Sequence, residues 1–369
     1  MIPIMPVYLH PIETIVPDNY YKQNFTRDIL EQSLNGNGKM KRVHNRVYAQ
    51  SGIEKRHTVV PDFNSNGEAP LFWDQSGNIL DNQPGTERRN RHYIKHARKL
   101  FSEVSRKALD SSPFEPAEVT HVITVSCTGF FAPGPEYFVV KDLGLHNSTQ
   151  RFHLGFMGCF GAFPALRMAE SICTADPEAV VLISAVELCT LHMQLREDMD
   201  GILSNSVFAD GGAGLVVSGA QKGELQIKGL MNDLTDEGEE DMAWELGDQG
   251  FNMVLSSYVP KIIEAQIKDT LANQLADHQT EIENINHWAV HPGGRSILDK
   301  IENSLELSED QLASSRKILR EYGNMSSATV LFVMKDICEN LIKPGETMMA
   351  MAFGPGLTIE CGLFQSCDD

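Results

Sequence analysis

The chain has 369 residues, 42% of them hydrophobic, enough to bury a sizeable core and more than one ordinary domain holds. Its net charge of −19, from 31 basic against 50 acidic residues, argues against nucleic acid or an anionic membrane as a general partner. The chain opens with no basic start followed by an apolar run, and no apolar stretch reaches the ~18 to 20 residues of a spanning helix, so a cytoplasmic protein without a membrane span is expected.

In chain order, residues 61–90 come first as an irregular stretch rich in Asn, Gly, Pro and Asp, read as an exposed excursion. The basic run from Arg88 to Lys99 carries His92 and His96 at i,i+4 spacing, but the surrounding cations favour a solvated helix face over a metal site. β-Branched runs at 119–125 and 179–185 read as buried strands followed by helical-period sequence, an α/β alternation. Between them a helix opens at Cys159, runs through 165–172 and closes at Asp176-Pro177, with Pro164 near enough to its start to be tolerated.

Asp210-Gly211-Gly212-Ala213-Gly214 reads as a Gly-rich turn, and the acidic tract from Asp233 to Asp241 marks a change of composition. A boundary between them divides the chain into halves at 1–225 and 226–369. The second half is expected to hold a helix over 256–277, a strand from His287 to Val290, helices after Gly294 and from Ser326, and strands over 347–353 and 357–363. The seven cysteines form no CxxC or CxxxC pair, which disfavours both a disulfide framework and structural zinc.

Three residues carry the chemistry. Cys159 lies in Gly155-Phe156-Met157-Gly158-Cys159-Phe160-Gly161, where small neighbours let a thiol approach a ligand at a helix N-terminus. That position, with a nearby imidazolium, lowers a thiol pKa; the alternative is a structural core cysteine. His291, before Pro292-Gly293-Gly294, stands at a strand end, where the alternative is a histidine satisfied in a loop. Asn324 precedes Met325-Ser326-Ser327-Ala328, where capping is an equally good role for it. Thiol, imidazole and carboxamide together suit acyl capture followed by decarboxylative condensation, which needs no metal or redox cofactor. Lys55-Arg56 and the 88–99 cluster are candidates for holding CoA phosphates, and Gly354-Pro355-Gly356 reads as a turn lining the same pocket, not a dinucleotide fingerprint.

These motifs resemble the chalcone synthase-like family, the type III polyketide synthases of the thiolase superfamily, over residues 40–364. The most specific pieces are Gly158-Cys159-Phe160, His291-Pro292-Gly293-Gly294, Tyr322 to Ala328 including Ser326, and Phe353-Gly354-Pro355-Gly356 running on to Glu360. The resemblance implies a homodimer of duplicated αβαβα halves, five layers in all, that uses an acyl-CoA starter and malonyl-CoA without a carrier protein. It implies Cys159 as nucleophile, His291 and Asn324 as the decarboxylation pair, and Phe208 with Met253 as the gate between tunnel and cavity. Cys127, Cys189 and His192 fall where plant members carry threonines, Trp244 where they carry a cavity-wall glycine, and Ala132 where a methionine enters the neighbouring subunit. Those departures resemble the bacterial branch, with aliphatic starters and alkylpyrone or alkylresorcinol products. The competing readings are an initiating β-ketoacyl-ACP synthase, which the Pro-Gly-Gly and Met-Ser-Ser runs disfavour, and a silent thiolase-fold binding protein, in which a triad member would be missing.

Overall fold

Val122, Ile123 and Val125, and later Val180 to Ile183, leave no polar face for water, and both runs form strands buried along their whole length. The structure is a computed structural model that describes residues 5–32, 34, 38–63, 69–74, 79, 83–219, 221–256 and 258–367. Its strands are β1 (Tyr8–Leu9), β2 (Glu13–Ile15), β3 (Tyr20–Lys22), β4 (Lys55–His57), β5 (His121–Ser126), β6 (Gln150–Gly155), β7 (Val180–Leu188), β8 (Asp210–Ser218), β9 (Leu225–Leu234), β10 (Met242–Gly247), β11 (Gly250–Leu255), β12 (His287–Val290), β13 (Thr347–Gly354) and β14 (Thr358–Ser366). Its helices are α1 (Gln23–Glu31), α2 (Gly38–Gln50), α3 (Thr86–Asp110), α4 (Pro135–Leu143), α5 (Ala162–Ala175), α6 (Met199–Val207), α7 (Val259–Asp277), α8 (Arg295–Ser304), α9 (Ala313–Tyr322) and α10 (Thr329–Asn340).

The main sheet runs β12-β13-β14-β9-β1-β8-β7-β5-β6, with β2 beside β8. Its two halves repeat one plan: β5 is parallel to β7, which is antiparallel to β8, and β12 is parallel to β13, which is antiparallel to β14. Side chains alternate between cores, as the two-residue period of a strand requires. Ile123, Val181 and Ile183 on one half and Ala289, Met348 and Ala350 on the other face a shared central core, filled by α5 and α10. Val122, Val180 and Leu182 face the opposite way, onto α3 and α4, while Trp288, Val290, Met349 and Met351 face α7 and α8. The result is five layers, helix, sheet, helix, sheet, helix, in which the two halves of the main sheet flank the central helices α5 and α10.

Three local expectations need correction. The Gly-rich turn at 210–214 is the start of the buried strand β8; its glycines are there for close packing, since a Cβ on Gly211 would lie 2.4 Å from Met325 Sδ. The 61–90 excursion is tied down: the Asp62 carboxylate accepts from the amides of Leu71, Phe72 and Trp73, all three buried, while residues 64–68, 75–78 and 80–82 lie outside the described residues. The basic run of α3 is not one solvated face either. Arg89 is buried and donates to the carbonyls of Pro84, Leu191 and Met193.

Candidate active site

Cys159 sits on a 3₁₀ turn, Gly158–Phe160, just ahead of α5 rather than inside it. The turn needs Gly158: its φ is +77°, and a Cβ there would meet Pro355 Cδ at 2.5 Å. His291 follows β12 and is fixed by its amide donating to Met351 O at 2.8 Å. Asn324 is held by its backbone, with Asn324 N donating to Val207 O and Ala209 N donating to Asn324 O, both at 2.8 Å. Its side chain does what a cap does and more: Oδ1 accepts from Ser326 N at 2.8 Å and Nδ2 donates to Gly293 O at 3.1 Å. The capping role and the site role therefore coexist, because the cap orients the amide N–H₂ group.

These residues converge on one cavity of about 340 Å³. Cys159, His291, Asn324 and Ser326 line it, and so do Cys127, Cys189, Phe208, Trp244, Met253, Phe353 and Pro355. The hairpin β10–β11 sets Trp244 directly opposite Met253, so both present to the same face. Five nominated residues lie elsewhere. His192 lines a smaller pocket behind the cavity, with its ring stacked 4.0 Å from Phe251. Gly354 lies against the Phe160 ring and Gly356 in the turn before β14, and neither lines the cavity. Arg56 is 2% exposed, donates to Gln23 Oε1 and Phe208 O, and lines that smaller pocket. A guanidinium so enclosed cannot reach the phosphates of a solvent-facing nucleotide. Lys55, its expected companion, sits over the rings of Tyr20 and Tyr322, outside the cavity.

The electrostatics differ from the sequence expectation. Burial pushes the Cys159 thiol up to about 11, with contacts to Ser326 and Asn324 opposing that rise. Burial also brings His291 down to about 3, so its ring is neutral at pH 7 and not an imidazolium. Both ring nitrogens of His291 are buried without a hydrogen-bond partner, the mark of a group awaiting a substrate atom. Burial raises five other thiols too, those of Cys127, Cys173, Cys189, Cys338 and Cys361, but of the six only Cys159 combines a place on the cavity with partial exposure. Since only the thiolate is alkylated, iodoacetamide should label Cys159 ahead of these five, with a rate rising about tenfold per pH unit from 6 to 10. A plateau beginning near neutrality would show instead a thiolate–imidazolium pair present before substrate arrives.

The sequence reading missed three residues. Glu187, buried near the end of the apolar strand β7, accepts from Cys127 N and Thr128 Oγ1, both at 2.9 Å, and from Ser327 Oγ at 2.5 Å. It ties the Cys127 turn to the turn after Asn324. A lone carboxylate in an apolar run was the available signal. Lys261, exposed at the start of α7, and Lys300, half-buried on α8 and paired with Glu264 at 2.8 Å, stand at the edge of the same cavity.

A thiol, an imidazole and a carboxamide around one cavity of a duplicated five-layer fold define the class, an acyl-condensing enzyme of thiolase architecture. The chain belongs to the chalcone and stilbene synthases: the family's N-terminal domain matches residues 7–221 and its C-terminal domain residues 226–368. Among its relatives is an alpha-pyrone synthesis polyketide synthase-like protein, Pks18, of Mycobacterium tuberculosis, 30% identical over 96% of this chain and 89% of that protein. A 1,3,6,8-tetrahydroxynaphthalene synthase of Streptomyces coelicolor is 29% identical over 88% of this chain and 83% of the relative. Among solved structures, the PKS-I of the brown alga Ectocarpus siliculosus superposes with a TM-score of 0.91 at 31% identity, covering 98% of both chains. The enzyme is thus a type III polyketide synthase that works by decarboxylative condensation, and not a β-ketoacyl-ACP synthase. No helix among the described residues is long and apolar enough to cross a membrane.

Proposed function

We propose that this enzyme loads an aliphatic acyl-CoA starter on Cys159, extends it with malonyl-CoA and cyclises the product to an alkylpyrone or alkylresorcinol-type ring. The observation that carries this is the union of Cys159, His291 and Asn324 at one cavity whose other walls are mostly apolar, Leu203, Val207, Phe208, Met242, Met253 and Leu255 among them. Cys159 Sγ gives its proton to His291 and attacks the starter thioester; the acyl–sulfur bond to CoA breaks and CoA leaves as the thiol, taking the proton. The malonyl thioester oxygen then accepts hydrogen bonds from the His291 ring and Asn324 Nδ2. These stabilise the enolate as CO₂ departs. The enolate carbon attacks the Cys159 thioester, a carbon–carbon bond forms, and the carbon–sulfur bond breaks to return the thiolate. The lengthened chain, now on the malonyl unit's CoA, reloads on Cys159 as the starter did; in pyrone closure an enol oxygen of the chain attacks its terminal thioester, the carbon–sulfur bond to CoA breaks, and CoA leaves as the thiol with the enol's proton.

Lys261 and Lys300 replace Lys55 and Arg56 as the cations proposed to meet CoA phosphates, since both line the cavity and neither is buried. Their joint replacement by alanine should raise KM for an acyl-CoA about tenfold, and leave KM for the same acyl group on a short, phosphate-free pantetheine unchanged. Equal effects on both thioesters would remove them from the CoA site. A cytoplasmic location is the expectation that goes with CoA thioester substrates. A homodimer is the expected assembly: β6 ends the main sheet, and Phe130 and Phe156 near it are 46% and 39% exposed, an edge and an apolar patch that a second copy would cover. Light scattering that finds a single chain's mass would contradict this. The function itself is tested by release of labelled CO₂ from carboxyl-labelled malonyl-CoA with an acyl-CoA starter and no carrier protein. Release that requires a malonyl-loaded carrier protein would contradict it.

A further inference from the structure

Arg56, on β4, is among the largest fully buried side chains, and no step given above uses its charge. A buried guanidinium is retained only where directed contacts meet it. The contacts converge on the junction between α6 and β8. Arg56 Nη1 donates to Phe208 O at 2.6 Å, and Arg56 Nε donates to Gln23 Oε1 at 3.0 Å. Gln23 extends the grip, its Nε2 donating to Ser206 O at 2.7 Å. Next along the junction, the Asp210 carboxylate accepts from the amide of Val59, which follows β4, at 2.8 Å. The junction is thus clamped from the β4 side at Ser206, Phe208 and Asp210.

Its other edge carries Asn324. Val207 O accepts from Asn324 N, and Ala209 N donates to Asn324 O. The peptide group between Phe208 and Ala209 therefore has its carbonyl on Arg56 and its amide on Asn324, and that group is a rigid plane. Movement at one end is transmitted to the other. The stem of Arg56 makes a second link. Gly323, the residue before Asn324, has a φ of +75°, and a Cβ there would lie 2.9 Å from Arg56 Cγ, so the stem rests against the chain that leads into Asn324.

The Asn324 amide has little tolerance for such movement. Nδ2 gives one hydrogen to Gly293 O and keeps one for the malonyl thioester oxygen. A donor to a developing oxyanion acts only at hydrogen-bond distance from it, so the backbone beneath it must not drift.

We propose that Arg56 is a positioning residue for decarboxylation, which fixes the Asn324 amide through the Phe208–Ala209 peptide and through Gly323. The proposal rests on the reading of Asn324 as an oxyanion donor given above.

Arg56→Met keeps the stem over Gly323 and removes the donors. Release of labelled CO₂ from malonyl-CoA should fall about tenfold or more in this variant. Loading of Cys159 from an acyl-CoA, followed by intact-protein mass spectrometry, should stay near the wild-type rate. Added to Asn324→Ala, the same substitution should slow CO₂ release no further, because the amide it aims is already gone. If Arg56→Met does not fold, Gln23→Met removes only neutral hydrogen bonds of the clamp and carries the same measurements, with an expected loss of about threefold. Loading and decarboxylation that fall together in a folded variant, or a further loss on top of Asn324→Ala, overturn the proposal alone. CO₂ release by Asn324→Ala at the wild-type rate overturns the reading of Asn324 and the proposal with it.

Discussion

Cys159→Ala should form no acyl-enzyme from any acyl-CoA and should lose at least about 10⁴-fold in product formation, since removing a covalent nucleophile removes the intermediate itself. The loss is chemical and not structural. Cys159 lies on a short turn against the hydrophobic core, and alanine keeps the Cβ while giving up only the sulfur. His291 and Asn324 remain in place in that variant, so slow CO₂ loss from malonyl-CoA should persist without any new carbon–carbon bond. Extension of an acyl-CoA by Cys159→Ala would rule out covalent catalysis at this residue.

Asn324→Ala should divide the reaction in the opposite way. Loading on Cys159 should survive, while decarboxylation falls about 10² to 10³-fold, the usual cost of deleting one donor to a developing oxyanion. Because Asn324 Oδ1 also caps the Ser326 turn, alanine removes a structural bond worth about 1 kcal/mol as well. Asn324→Asp separates the two roles: its carboxylate keeps an oxygen for Ser326 N but has no N–H to donate. If Asn324→Asp decarboxylates like the wild type while Asn324→Ala does not, the residue is only a cap. Loss of decarboxylation in both, with acyl-enzyme still visible by mass, is the expected result.

What the sequence made legible was mostly local. The β-branched runs became β5 and β7 because residues without a polar face can only be buried on both sides, and Cys159, His291 and Asn324 lie in turns whose Gly and Pro neighbours announce them. What stayed hidden depends on distant partners. The glycines of β8 resemble a turn in the chain and make sense only against other elements: Gly211 against Met325, more than a hundred positions away, Gly212 against Val186 and Gly214 against Val104 and Ala108. Arg56 reads as a surface cation until Gln23 and the Phe208 carbonyl are seen to enclose it. The hairpin β10–β11, which carries Trp244 and Met253 into the wall, follows an acidic tract and has no strong alternating pattern to declare it. The electrostatic state of the triad was hidden too. A helix N-terminus argues for a thiolate, whereas the closure of the site around Cys159 and His291 favours the uncharged form of each.

The most direct measurement is mass spectrometry of the products formed from malonyl-CoA and a panel of short, long-chain and aromatic acyl-CoA starters, with no carrier protein present. Pyrones or resorcinols built on an aliphatic starter and extended by two or more acetate units are the expected products. A single condensation, or no product until malonyl-loaded carrier protein is added, would contradict iterative synthesis on CoA thioesters at Cys159.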